Sequence, residues 1–353
     1  MKKSLLAVAV LGAFAGAASA QSSVTLFGVV DLSANSIKNG ATTAKYLASN
    51  QLNSNRLGFR GTEDLGGGLT AGFWLEAGMN NATGNAGGGS GNVAPSETAA
   101  SSQLFNRRST VSISSSKMGE LRLGRDYDPS FWNTVFFDVN GANGLGQGLN
   151  LISSLGSGAT SIARTNNSIG YFLPSGLGGI YGQAQVAAPE GAPGNNYRGA
   201  RLGYAAGPVD VAVGYGTTKT VGGDFKMQNV GASYNFGVAK LLGYYNRNSY
   251  GQLKQNVYEV SASVPLGQGE FRASYAKADA SGNTAGGVST NANDAKMASV
   301  GYIYNLSKRT ALYTTYAKIS NSGTAAFSIL PGSLGSASGK ESSGYNFGVR
   351  HSF

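Results

Sequence analysis

Apolar and polar residues take turns along most of this chain, and that period of two limits it to strands with two unlike faces. In VTLFGVVDL, Val24, Leu26, Val30 and Leu32 share one parity, with Thr25 and Asp31 on the other. In NRLGFRG, Leu57 and Phe59 alternate with Arg56, Gly58 and Arg60. In VDVAVGYG, Val209, Val211, Val213 and Tyr215 alternate with Asp210, Ala212, Gly214 and Gly216; in NVGASYNF, Val230, Ala232, Tyr234 and Phe236 alternate with Gly231, Ser233 and Asn235. Segments 239–247 and 310–318 can be read in either parity. The last strand, GYNFGVRHSF, puts Tyr345, Phe347, Val349 and Phe353 on one side and stops there without a polar tail.

The connections alternate as well. Short Gly- or Pro-marked turns fall near 64–68, 116–119, 174–178, 206–208, 236–238, 265–269 and 306–309. Longer polar stretches fall near 36–50, 81–103, 128–162, 190–196, 219–224, 250–253, 280–294 and 321–341. Seven turns and eight loops join sixteen strands. Short turns at one end and long loops at the other are the pattern of an outer-membrane barrel, whose strands need ~9–11 residues each. The expected fold is therefore all-β, a 16-stranded antiparallel transmembrane β-barrel. The last strand would pair with the first near Val24–Ser33, because an open sheet edge in hydrocarbon leaves backbone amides unpaired. Tyr345, Phe347 and Phe353 would serve as a C-terminal assembly signal, with Phe353 in the periplasmic aromatic girdle.

Composition agrees. Only 12 % of residues are charged, and there is no Cys, so neither disulfide staples nor thiol chemistry is available. The opposite parity is mostly Gly, Ser, Asn and Thr with scattered Arg, which suits a wet lumen better than the charged exterior of a soluble β-sandwich. Lys2 and Lys3, the apolar run Leu5–Ala18 and the small residues Ala18-Ser19-Ala20 read as a cleaved export signal over residues 1–20. Residues 21–353 would then form one barrel domain in the outer membrane of a Gram-negative cell. Despite a net charge of +10, the cations form no dense runs and no nucleic-acid partner is expected.

A barrel of sixteen strands is too wide for its wall side chains to fill. The candidate for narrowing it is segment 128–162, which opens DPSFWNTVFFDVNG with Phe131, Trp132, Val135, Phe136 and Val139 near helical spacing. This third external loop should fold inward, apolar side to the wall, with Asp128 and Asp138 beside the passage. A loop on the outer rim or at a subunit contact is the alternative. Parity aims Arg56, Arg60, Arg108, Arg122 and Arg164 at the same lumen, where water and counter-ions must screen their repulsion. Facing acids across a constriction, they would form a pore constriction with a transverse field that sets ion preference. Alternatively, each pairs with an acid such as Glu63, Glu76 or Asp126 and stiffens the wall. The one histidine, His351, lies on the lipid-facing parity, so no catalytic triad and no enzyme is expected. No nucleotide, metal or calcium motif is present, so no metal and no cofactor is expected.

The stretches SSVTLFGVVDL, NRLGFRGTEDLGGGLTAGFWLE, FNRRSTVSI, GELRLGRDYDP and GVRHSF resemble the trimeric general porins of Gram-negative outer membranes, of the beta-proteobacterial type. The resemblance implies a homotrimer in lipid and lipopolysaccharide, with the third external loop as an eyelet. It implies a water-filled channel for passive diffusion of small hydrophilic solutes and ions. By matching motifs, the eyelet arginines are Arg56 in NRLGF, Arg108 in NRRST and Arg164 in ARTNNS. The Pro-Glu-Phe-Gly stretch of enterobacterial relatives is missing, which leaves Asp128 and Asp138 as the acidic half. Five arginines against few acids imply weak anion preference. The rival function is a non-channel barrel, an adhesin or structural protein acting through its surface loops.

Overall fold

The computed structural model describes residues 23–86, 103–159, 162–188, 196–329, 334 and 338–353. The expected export signal and parts of the loops near 81–103, 190–196 and 321–341 lie outside them. The strands are β1 (Ser23–Asn39), β2 (Thr42–Ser49), β3 (Arg56–Gly66), β4 (Leu69–Asn80), β5 (Asn85–Ala86), β6 (Arg108–Ser115), β7 (Gly119–Tyr127), β8 (Arg164–Phe172) and β9 (Ile180–Ala187). They continue with β10 (Asn196–Ala206), β11 (Val209–Thr220), β12 (Gly223–Asn235), β13 (Lys240–Tyr250), β14 (Leu253–Leu266), β15 (Gly269–Ser281), β16 (Ala295–Asn305), β17 (Thr310–Asn321) and β18 (Glu341–Ser352). Each pairs antiparallel with its neighbours, and β1 pairs with β18 from Val29–Ser352 to Asn39–Ser342, closing the ring.

Eighteen strands by hydrogen bonding make sixteen barrel staves. β2 and β3 both pair with β1, one above the other, so they are a single stave interrupted at residues 50–55. β5 is a two-residue annex on the end of β4. The loop expected at 36–50 is therefore a tight hairpin at Gly40–Ala41, and the irregular backbone has moved to 50–55. Asp31 accounts for that shift. Its carboxylate accepts the amides of Leu52 and Asn53 at 2.7 and 2.5 Å, and the Tyr313 hydroxyl donates to it from β17. Asn55 exchanges two further bonds with the Asp31 backbone, at 2.5 and 2.9 Å. The buried backbone that leaves the ladder is thus repaired by side chains, as burial demands.

The apolar parity lies on the outside: Leu26, Val111, Leu123, Val213, Val260 and Phe347 are all exposed. In the two ambiguous segments, Leu241 and Tyr245 face out on β13 while Leu242 and Tyr244 face in. On β17, Leu312 and Tyr316 face out while Tyr313 and Ala317 face in.

At the seam, Gly28 and Phe353 exchange two backbone bonds of 3.0 and 3.1 Å. A Cβ on Gly28 would lie 2.3 Å from the Phe353 ring, so glycine is what lets that ring cover the junction. Gly28→Leu should cost about 1–3 kcal/mol through forced displacement of the ring, measured as urea unfolding in micelles. Gly243→Ala is the control: it is also on the outward parity of its strand, and its added Cβ would meet nothing within 4 Å. Equal effects of the two changes would remove the ring from the account of closure.

Candidate functional site

The described residues of segment 128–163 pack on the polar parity of the staves, opposite the apolar face. The segment begins with α1 (Pro129–Phe136), and Pro129 at the start suits a helix N-terminus, where its missing N–H has no partner to lose. The helix rests on β10, β11 and β12. Asn133 donates to Asn229 at 2.8 Å, Asn229 donates back to the Ser130 carbonyl at 2.7 Å, and the Thr134 and Tyr244 hydroxyls share a bond of 2.7 Å. Farther on, Phe137 fills the space left by Gly231, where a Cβ would meet its ring at 2.0 Å. Ser153 and Leu151 bond to Gln255, Gly146 to Ser274, and Asn143 to Ser54 in the break between β2 and β3. Phe131, Phe137, Leu145, Leu149, Leu151 and Ile152 form a buried cluster with Met227, Val257 and Met297 of the wall. The loop is held by apolar packing and by the polar residues that the wet parity supplies.

Two placements differ from the sequence reading. Of the apolar set expected against the wall, Phe131 and Val139 are buried, whereas Trp132 is partly exposed and Phe136 is 48 % exposed. At 3.6 residues per turn, 132 and 136 share the helix face opposite Ser130, Asn133 and Thr134. The second correction concerns the acids. Asp128 and Asp138 do not border the passage: they are 1 % and 4 % exposed. Asp128 accepts from Thr165 at 2.9 Å and Gln185 at 3.3 Å. Asp138 accepts the amides of Asn140, Ala142 and Gly148 at 2.7, 3.2 and 3.1 Å, so it organises the loop's own turn. Burial pushes the Asp138 carboxyl above the usual carboxylate range, against the pull of those amides. Asp138 is also hydrogen-bonded to the buried Glu259, so the contribution to docking is that of the pair, full at low pH and shrinking as pH rises through the pair's folded-state range.

The guanidinium groups come from β3, β6, β7 and β8 and from Arg107 just before β6, around β4 with its Trp74 and Glu76. Arg56 and Arg107 flank Glu76 of β4 at 3.5 and 2.5 Å. Arg107 also donates to the Tyr127 hydroxyl at 2.7 Å, and Arg164 donates to the same oxygen while lying 4.0 Å from the ring centre. These three arginines converge on one tyrosine and one carboxylate at the root of the loop. Arg60, Arg108 and Arg122 form a second row. Arg60 and Arg108 lie 5.1 and 4.6 Å from the Trp74 ring, and Arg122 lies 3.9 Å from Phe172. Arg122 is neutralised by Glu120 and Asp126 at 2.9 and 2.6 Å, while Arg108 is 3.9 Å from Asp126. Alternation did not find Arg107, because it precedes β6 and has no strand parity; its signal was the doubled arginine in NRRST. Glu76 and Asp126, weighed as wall-stiffening partners, both meet these arginines, and so does Glu120. Glu63 forms none of the ion pairs among the described residues.

Residues 7–324 match the description of the Gram-negative porins. The chain belongs to the Gram-negative porin family. An outer membrane porin protein of Delftia acidovorans is 38 % identical, with both chains covered over their full length. One from Bordetella pertussis is 32 % identical over 90 % of this chain and 94 % of its own. Among solved structures, an anion-selective porin from Comamonas acidovorans superposes with a TM-score of 0.81 at 34 % identity, covering 94 % of this chain and all of its own. The present protein is thus an outer-membrane porin with a 16-stranded antiparallel barrel, and not an enzyme.

Within this porin, Asp138→Ala leaves three loop amides without their acceptor, at about 1–3 kcal/mol for each buried donor left unpaired. Limited proteolysis of the folded barrel should then cut within the loop, whereas Asp138→Asn, which keeps an acceptor oxygen, should resist longer. Equal resistance of wild type and Asp138→Ala would show that the turn does not depend on this carboxylate.

Proposed function

We propose that this porin is a passive channel for small hydrophilic solutes and ions with weak anion preference, and that residues around the docked loop form its pore constriction. The observation that carries the reading is the convergence at the root of the loop: Arg56 and Arg107 share the one carboxylate of Glu76, and Arg107 and Arg164 both donate to the Tyr127 hydroxyl. Such a surplus concentrates anions in a low-dielectric passage. Arg60, Arg108 and Arg122 extend the positive row. The anion-selective Comamonas porin supports the same direction.

In this reading, residues 1–20 direct export, Tyr345, Phe347 and Phe353 are the C-terminal assembly signal, and the working unit is a homotrimer in lipid and lipopolysaccharide. Outward-facing Lys254, Lys277, Lys296 and Lys318 support the lipid assignment. They stand on β14–β17 on the same parity as Tyr258, Tyr275, Val300 and Tyr316, toward the long-loop end where headgroup phosphates sit.

Reversal potentials in a potassium chloride gradient across a planar bilayer test the channel. Wild type should favour chloride, Arg56→Ala should move the potential toward potassium, and Glu76→Gln should move it further toward chloride. A cation-favouring wild type, or a protein that inserts without stepwise conductance, overturns the proposal.

A further inference from the structure

Two large aromatic side chains of α1 take no part in the buried cluster that holds the loop to the wall. Trp132 and Phe136 are four residues apart on the free face of α1, while their neighbours Phe131 and Phe137 are 5 % and 0 % exposed and do the packing. Their rings are nearly parallel, 5.2 Å apart and inclined by 19°. The Tyr127 ring meets Trp132 at 4.8 Å, tilted by 47°, and itself stacks on Phe131 with ring centres 6.0 Å apart. A guanidinium stands at each end: Arg164 lies 4.0 Å from the Tyr127 ring centre and Arg201 lies 4.9 Å from that of Phe136. Arg201 is fixed behind the row by Asn133 at 2.5 Å and Tyr181 at 3.1 Å. At the Tyr127 end, the row leads to Arg56 and Arg107. Exposed rings in a water-filled channel are costly unless something apolar visits them. Surrounded by guanidinium groups, that visitor must carry negative charge.

We propose that Trp132 and Phe136 form a binding track for small aromatic carboxylates, the ring of the solute lying on these two side chains and its carboxylate turned toward the arginines at the Tyr127 end. This deepens the channel reading and rests on it, because it names a solute class for the same passage. A flat ring gains face or edge contacts with the track that a saturated ring of equal charge and similar size lacks. Short aliphatic acids gain neither contact.

The test compares benzoate, cyclohexanecarboxylate and acetate as blockers of chloride current through the reconstituted porin. Benzoate should act at concentrations about three- to tenfold below cyclohexanecarboxylate, the range expected for one aromatic pair, and acetate should be weakest. Replacing Trp132 and Phe136 together by leucine should close the gap between the two cyclic acids. Equal potency of those acids on the wild type overturns the proposal, and so does a gap that survives the double substitution. A second readout does not depend on current or on the double variant. Trp74 and Trp132 are the two tryptophans, so Trp74→Phe leaves Trp132 to report alone in detergent. Its emission should change saturably with benzoate and not with acetate; no saturable change overturns the proposal. A porin that carries no current but shows the saturable signal refutes the channel reading while leaving the track in place.

Discussion

Hydrocarbon cannot hydrogen-bond a peptide group, and this one fact decides more of the architecture than any side chain does. Every strand in the ring must give its amides and carbonyls to two neighbours, so the sheet has to close. Closure occurs where β1 meets β18, and Gly28 with Phe353 finishes that junction in backbone bonds and in ring coverage. The same rule operates inside. Where the stave made of β2 and β3 breaks, the carboxylate of Asp31 and the amide of Asn55 replace the missing ladder.

Closure also sorts side chains. The outward parity needs only to be apolar, and it is. The inward parity has three tasks at once: to remain wet, to carry charge, and to hold the long loop that begins at Asp128. Small residues make the third possible. Gly231 admits Phe137, and Asn229, Tyr244, Gln255 and Ser274 supply the polar contacts. Arg56, Arg60, Arg108 and Arg122 stand on β3, β6 and β7, whereas α1 rests on β10, β11 and β12. The division between a covered wall and a charged wall follows from where the loop is anchored.

Charge in this lumen is organised by aromatic rings as much as by acids. Trp74 lies between Arg60 and Arg108 and donates from its indole to Glu76 at 3.0 Å. Tyr127 joins Arg107 and Arg164. Guanidinium groups stacked on rings keep their charge and lose little mobility when a solute arrives. Carboxylates used for the same purpose would cancel the field.

Strand number, the outward face and the pairing of the last strand with the first were legible in the linear pattern, although that pairing runs over Val29–Asn39 and not Val24–Ser33. Alternation is a local property, and each strand writes it independently. What local pattern could not reach were positions decided by partners far along the chain. Leu242 and Tyr244 face inward because a loop more than a hundred residues earlier bonds to Tyr244, and Tyr313 faces inward to meet Asp31. Arg107 lies off the strand, so no parity applied to it. Asp128 and Asp138 looked like lumen acids because acids are usually wet, yet each is consumed by hydrogen bonds within or beneath the loop. Sequence alone therefore determined the cylinder and its two surfaces, since period and closure depend only on neighbouring residues and the solvent. The tertiary structure decided which side chains line the passage, because that depends on how a folded loop lies against a distant wall.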